Sequence, residues 1–361
     1  MKRQRTYYAI GLMSGSSLDG LDIARVRFVI SARGWHFTIC EAETIPLPGH
    51  LYAALCQIQQ ASDVVLRKVD KELGDFMGKA VRSFIRRHRI RRVDVIGSHG
   101  HTVRHHPEKK QTIQIGSARM IANHCHIPVV WNLRKKDVLN GGQGAPIVPI
   151  ADWHLFPKYG ALLNLGGIAN VSVKTGDTIQ AWDICPFNQV FNEYAQKEGN
   201  LYDRGGQMAA KGKVHEGVLK KLLQIPYFRR KPPKSLDNAF SKEVIDMMDA
   251  AHCSPADASA TWAKATAFLI ARDIPEGSSV YVTGGGAFHR TAIQFLRRMC
   301  KGKVILGDKE MIHFKEALAM AFMAVLRVRG EVNVLSSVTG AKRDSVCGDM
   351  YNPVFIKISD E

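Results

Sequence analysis

A chain of 361 residues with 45% hydrophobic and 23% charged content is long for one core and suits two domains of a soluble globular protein. No apolar run approaches the ~18 residues of a membrane helix, and the apolar stretch after Met1-Lys2-Arg3-Gln4-Arg5 is broken at once by Ser14, Gly15 and Ser16, so the expectation is a cytoplasmic protein. The formal net charge of +17 would attract anionic substrates. Arg86, Arg87, Arg89, Arg91 and Arg92 lack interleaved aromatics or a nucleic-acid module, so they read as a solvated face rather than a nucleic-acid surface. Seven scattered cysteines without a Cys-x-x-Cys pair read as reduced thiols, not a disulfide frame.

In chain order, residues 7–10 read as a strand leading into a turn, and residues 23–30 as the strand leading out. Gly11, Gly15 and Gly20 are interleaved there with Ser14, Ser16 and Ser17. Glycine permits positive φ and close backbone approach, and consecutive N–H groups with hydroxyls form an anion-binding concavity. Gly15, Ser16, Ser17, Leu18, Asp19, Gly20, Leu21 and Asp22 are therefore expected to cradle phosphate, with Asp19 and Asp22 as carboxylates for a water-bridged Mg²⁺. An ordinary Gly-rich hairpin is the alternative for this stretch alone.

Residues 35–44 read as a third strand, 61–87 as an amphipathic helix, and 93–96 as a short strand. That strand runs into a polar loop carrying Ser98, His99, His101 and Thr102, and ligands of open α/β sheets sit beyond such strand ends. The histidines of this region, His99, His101, His105, His106, His124 and His126, match no metal spacing and are expected to be loop or core residues rather than zinc ligands. Strands at 112–115 and 128–131 flank a helix at 118–123, an α/β alternation.

Residues 141–146 are Gly-rich and mark the expected boundary, giving domains of 1–133 with 340–361 and of 134–339. Beyond it the opening pattern recurs: a strand at 161–165, the turn Gly166-Gly167, a return strand at 168–173 and a third strand at 179–182. Gly166, Gly167 and Asn170 would form a second phosphate-facing turn. Helices follow at 189–196, 214–223, 242–248 and 258–271. A strand at 279–282 leads into Gly284, Gly285 and Gly286 and a helix at 290–298, an arrangement that can present backbone and a helix N-terminus to a nucleotide. The last helix, 314–329, carries Glu316 near its expected start.

Three glycine turns in this order resemble the superfamily of actin, sugar kinases and heat-shock chaperone ATPases. More specifically, residues 13–20, 97–103, 141–149, 164–171, 227–236, 282–287 and 337–341 resemble the anhydro-N-acetylmuramic acid kinase family nearly end to end. The resemblance implies a two-domain actin-like, ribonuclease H-like α/β fold with ATP in the cleft between domains. It also implies transfer of phosphate to O6 of 1,6-anhydro-N-acetylmuramic acid with hydrolytic opening of the anhydro ring, in cell-wall recycling, and a homodimer. Asp183 matches the family's catalytic aspartate and is expected to be the general base; Ser98, His99, His101, Thr102, Arg134 and Glu316 are expected to contact the sugar.

Three departures stand out: Ser16 where the family usually has Thr, Cys185-Pro186-Phe187-Asn188 where Gly-Pro-Gly-Asn is common, and Asn132 where it tends to have Asp. Other readings are a kinase for a related anhydrosugar such as levoglucosan, and a non-catalytic ATP-binding regulator.

Overall fold

The computed structural model describes residues 5–353 apart from 16, 17, 19, 233 and 238. The chain divides into two units, residues 1–155 with 316–361, and residues 156–315. Residues 134–155 and 316–339 thus belong to the first unit, and the Gly-rich stretch 141–146 lies inside it rather than at its edge. The cause is Asp137, fully buried, which accepts the Gly144 N–H at 2.8 Å and the Thr339 hydroxyl at 2.8 Å and so ties that loop to the late chain.

In the first unit, strands β1 (Arg5–Met13), β2 (Leu21–Ser31) and β3 (Gly34–Ile45) form an antiparallel meander. Strands β4 (Val95–Ser98) and β7 (Val129–Trp131) extend it in parallel beside β1, and the short β13 (Asp349–Tyr351) closes the edge antiparallel to β7. A separate hairpin pairs β5 (His101–His106) with β6 (Gln111–Ile115). The helices are α1 (Gly49–Gln57), α2 (Asp63–Arg87), α3 (Ala118–Cys125), α4 (Lys135–Leu139) and α5 (Pro149–Leu155). Ser62 caps α2 by accepting the Val65 N–H, while Leu66, Val69, Leu73, Met77, Val81 and Phe84 supply its buried stripe. Gly74 lets α2 approach the start of α3 closely, since a Cβ there would lie 2.7 Å from the Ser117 backbone.

The second unit repeats the order. Strands β8 (Ala161–Leu165), β9 (Ile168–Thr175) and β10 (Thr178–Pro186) form a meander, and β11 (Val280–Thr283) and β12 (Val304–Leu306) extend it in parallel beside β8. The helices are α6 (Asn188–Lys197), α7 (Gln207–Lys211), α8 (Glu216–Leu222), α9 (Pro226–Arg229), α10 (Phe240–Asp249), α11 (Pro255–Asp273) and α12 (Arg290–Met299). Helix α11, capped by Ser254 with Pro255 in its first turn, buries Trp262 in the centre of this core. The duplicated meander with two parallel strands is a mixed α/β architecture, and the repeat expected from the two glycine hairpins is present.

Several boundaries differ from expectation. Strand β1 continues to Met13, so Gly11 is a strand residue. A Cβ on it would lie 1.8 Å from the Ala317 carbonyl oxygen of α13 (Lys309–Arg329), so this glycine serves helix–sheet contact rather than a turn. Strand β4 includes Ser98 and β5 begins at His101, which shrinks the expected polar loop to His99 and Gly100. Helix α13 starts at Lys309, so Glu316 lies more than one turn inside it, beyond the reach of a first-turn dipole effect.

Candidate active site

The first unit gathers polar groups at the ends of β1 and β4. Leu12 and Ser98 are register partners, and the His99 N–H donates to the Leu12 carbonyl at 3.1 Å. Ser14 Oγ, Ser98 Oγ, His101 Nδ1 and Gln114 Oε1 are all buried without a hydrogen-bond partner among the described residues. Leaving such groups unpaired costs on the order of 1–3 kcal/mol each, so four on adjoining segments mark a place shaped for a polar ligand. Gln114 had no signal in the sequence, because an alternating strand residue gains meaning only when Thr102 is placed opposite it.

Arg134 organises the neighbouring imidazoles. Its Nε donates to His99 Nε2 at 2.9 Å and its Nη1 to the Gly144 carbonyl at 2.8 Å. His99 Nδ1 donates in turn to the Gly100 carbonyl at 3.0 Å, so the ring is neutral with its proton on Nδ1. Burial, then the Arg134 charge, holds the His99 pKa down at about 3. Burial also lowers His101 and His105, with Arg134 adding to the effect on His105. Arg134 is itself pushed down to about 10 by burial, with Glu316 opposing, which places the Glu316 charge near that of Arg134. The structure thus brings Ser98, His99, His101, Arg134 and Glu316 into one polar region, while Thr102 stands half-buried beside Gln114 on the hairpin.

The first glycine turn is described in part. The Leu18 N–H donates to the Gly15 carbonyl at 3.2 Å, Leu18 takes φ 56°, and Gly20 has no room for a Cβ against Thr44 and Ile45. Ser16, Ser17 and Asp19 lie outside the described residues. Leu21 is fully buried, and Asp22, half-buried at the start of β2, accepts the Thr44 hydroxyl at 2.6 Å across the β2–β3 pair. Among the described residues no group of three or more His, Cys, Asp or Glu gathers in a metal-binding arrangement, and His124 bonds Asp75 at 2.8 Å.

In the second unit, Asn164, Asn170 and Asp183 are successive register partners across β8, β9 and β10, a polar row beneath the Gly166-Gly167 turn. Asp183 lies within β10, not at its end, immediately before a bulge at Ile184 that breaks the ladder, a device that re-aims side chains near sites. Its Oδ2 accepts the Leu236 N–H at 3.0 Å, its own N–H donates to the Lys234 carbonyl at 3.2 Å, and the Tyr227 hydroxyl donates to its carbonyl at 2.8 Å. Burial raises the Asp183 pKa, against the Leu236 hydrogen bond and the Lys234 charge.

The helix N-termini beside the glycine turns are already engaged. The N–H groups of Phe187, Asn188 and Gln189 donate to the Gly166 and Gly167 carbonyls. Helix α12 is capped by His289 Nδ1, which accepts the Ala292 N–H at 3.2 Å, and a 3₁₀ turn at Gly285–Phe288 intervenes before it. The α12 N-terminus, expected from the sequence to face a nucleotide, is thus capped from within the chain. Gly284, at φ 81°, has no space against Asn164 and Leu165, and Gly286 none against the Phe187 ring. Gly166 and Gly285 are different: neither has positive φ, and an added Cβ would meet nothing closer than 3.5 Å and 3.9 Å. The fold does not require glycine there, which fits close approach of a ligand.

Two departures acquire structural meaning. Phe187 is buried under Gly286 with its ring edge-on to Phe191, so Cys185-Pro186-Phe187 changes core packing. Asn132 sits at φ 57°, a conformation that suits Asn, and its amide donates to Asp349 at 2.8 Å.

A family model described as anhydro-N-acetylmuramic acid kinase matches residues 7–353. A curated protein of that name from Shewanella loihica is 34% identical over 370 residues, covering 96% of this chain and 98% of the other. Another from Shewanella amazonensis is 34% identical over 369 residues, covering 95% and 98%. Among solved structures, the (R)-2-hydroxyglutaryl-CoA dehydratase component A of Acidaminococcus fermentans aligns with a TM-score of 0.46 at 11% identity, over 90% of this chain and 99% of that one.

Proposed function

Because this chain belongs to the anhydro-N-acetylmuramic acid kinase family, we propose that it transfers the γ-phosphoryl group of ATP to O6 of 1,6-anhydro-N-acetylmuramic acid while water opens the anhydro ring, in cell-wall sugar recycling in the cytoplasm. Water oxygen bonds to C1, the C1–O6 bond breaks, O6 takes the phosphoryl group, and ADP leaves. The products are N-acetylmuramic acid 6-phosphate and ADP.

The observation that carries the reading is the placement of Asp183, matching the family's catalytic aspartate, in the polar row with Asn164 and Asn170 beneath a glycine turn. Asp183 takes the proton of the attacking water; as a carboxylate it suits a C1 that gains oxocarbenium character. Its burial strengthens it as a base, and the Leu236 N–H orients it. Gly166, Gly167, Asn170, Gly284, Gly285 and Gly286 are assigned to ATP, as are Gly15, Ser16, Ser17, Leu18, Asp19, Gly20, Leu21 and Asp22. Phosphoryl transfer needs positioning and charge neutralisation above all, which backbone N–H turns supply. Mg²⁺ would be held through water by Asp22 and Asp19 and would neutralise phosphate charge. Ser98, His99, His101, Thr102, Arg134 and Glu316 are assigned to the sugar; His101 Nδ1 accepts from a hydroxyl, while the two serines donate or accept. A homodimer is the proposed assembly.

Asp183→Asn tests the assignment. The variant should fold and bind ATP by calorimetry while losing about 10²–10⁴-fold in kcat, the scale of a positioned base. An active Asp183→Asn enzyme would place the base elsewhere. Running the assay with levoglucosan beside the muramic sugar decides the substrate, and the reading expects clear preference for the latter.

A further inference from the structure

Asp183 is clamped by the segment Lys234–Leu236, which receives its main-chain N–H and donates to its carboxylate. The Lys234 side chain of that segment is only 3% exposed. Its Nζ lies 3.5 Å from Asp273 Oδ2 and 5.2 Å from the Tyr227 ring centroid, with no hydrogen-bond partner among the described residues. Asp273 is already served by others: the Trp182 indole N–H donates to the same Oδ2 at 2.9 Å, and Arg272 donates to Oδ1 at 2.9 Å.

We propose that Lys234 is a positioning residue for Asp183, its buried ammonium anchoring the clamp and keeping the carboxylate ionised. This rests on the assignment of Asp183 as base. A buried ammonium is expensive, and an apolar side chain of similar volume commonly packs as well or better. Lysine at this position therefore calls for a second anion. Two cations, Lys234 and Arg272, balance two carboxylates, Asp273 and Asp183, only when Asp183 is charged. The other titratable groups here, Tyr227 and Cys185, are pushed upward by burial and stay neutral; Arg230 lies over the Tyr227 ring, 6.0 Å from its centroid. Lys234 and burial thus pull on Asp183 in opposite directions.

The test is the acid limb of the kcat–pH profile, measured on the full chain with ATP, Mg²⁺ and the anhydro sugar. Lys234→Met should move the limb up by about one pH unit, since an opposite charge nearby lowers a carboxyl pKa by about that much or more. Lys234→Arg should return it, and Asp273→Asn should move it down, because the Lys234 ammonium then loses its competing carboxylate and acts on Asp183. A purely structural lysine predicts lower melting temperatures with an unmoved limb in all three variants, and that result overturns the proposal. If Lys234→Met does not fold, Asp273→Asn decides alone: an unmoved or upward limb refutes the proposal. Asp183→Asn is assayed alongside. If it is active, the base assignment fails and takes this inference with it; if it is inactive while the limb of Lys234→Met stays put, only the role of Lys234 fails.

Discussion

Gly285 and Gly286 are neighbours with different reasons to be glycine. Gly286 packs against the Phe187 ring, where a Cβ would lie 2.5 Å from a ring carbon, while a Cβ on Gly285 would meet nothing within 3.9 Å. Gly286→Ala should therefore destabilise the fold by about 1–3 kcal/mol in urea unfolding, the scale of overpacking. Gly285→Val should leave that midpoint nearly unchanged but weaken ATP binding about tenfold or more by calorimetry. Unchanged ATP affinity in Gly285→Val would remove this turn from the nucleotide site. From the sequence the three glycines at 284–286 look alike; only backbone angles and neighbours separate packing from ligand approach. The resemblance singled out Asp183 in the sequence, whereas nothing there singled out Lys234 or Gln114. A buried lysine and a strand glutamine become meaningful only through Asp273 and Thr102, far away in sequence.

At the scale of elements, the two hairpin-led meanders were legible because apolar runs broken by Gly turns carry the signal of strand and turn together. Strands β12 and β13, of three residues each, gave no such pattern and are defined by pairing to β11 and β7. Helix α13 began earlier than its apolar periodicity, because Asp308 accepts the Met311 N–H at 2.8 Å and caps a polar first turn. The sequence also concealed why Gly11 and Gly97 are glycines. Both lie in strands directly under α13, and a Cβ on Gly97 would sit 2.1 Å from the Met320 carbonyl oxygen. Gly97→Ala must push α13 off the sheet or bend it, so the melting temperature should fall, with a loss of about 1–3 kcal/mol or more. An unchanged melting temperature would mean that α13 does not rest on β4 as described.

At the scale of the whole chain, the duplication of the meander and its two parallel strands accounts for both units. Within the run of five arginines at 86–92, Arg87 pairs with Glu43, and Arg92 pairs with Asp94 at 2.9 Å while stacking over Tyr8. Among the described residues no helix is long and apolar enough to cross a membrane. The division at residues 155/156 and 315/316 was not readable from composition, because Asp137 and Thr339 join the Gly-rich loop to the late chain through buried hydrogen bonds. The central claim is that a single turnover couples phosphoryl transfer to hydrolysis of the anhydro bridge. Turnover in ¹⁸O-water, with products read by mass spectrometry before the anomeric oxygen exchanges, tests it most directly. The account predicts one ¹⁸O at C1 of the phosphorylated sugar and none in its phosphate; label in free inorganic phosphate, or a phosphorylated sugar without the label, would contradict it.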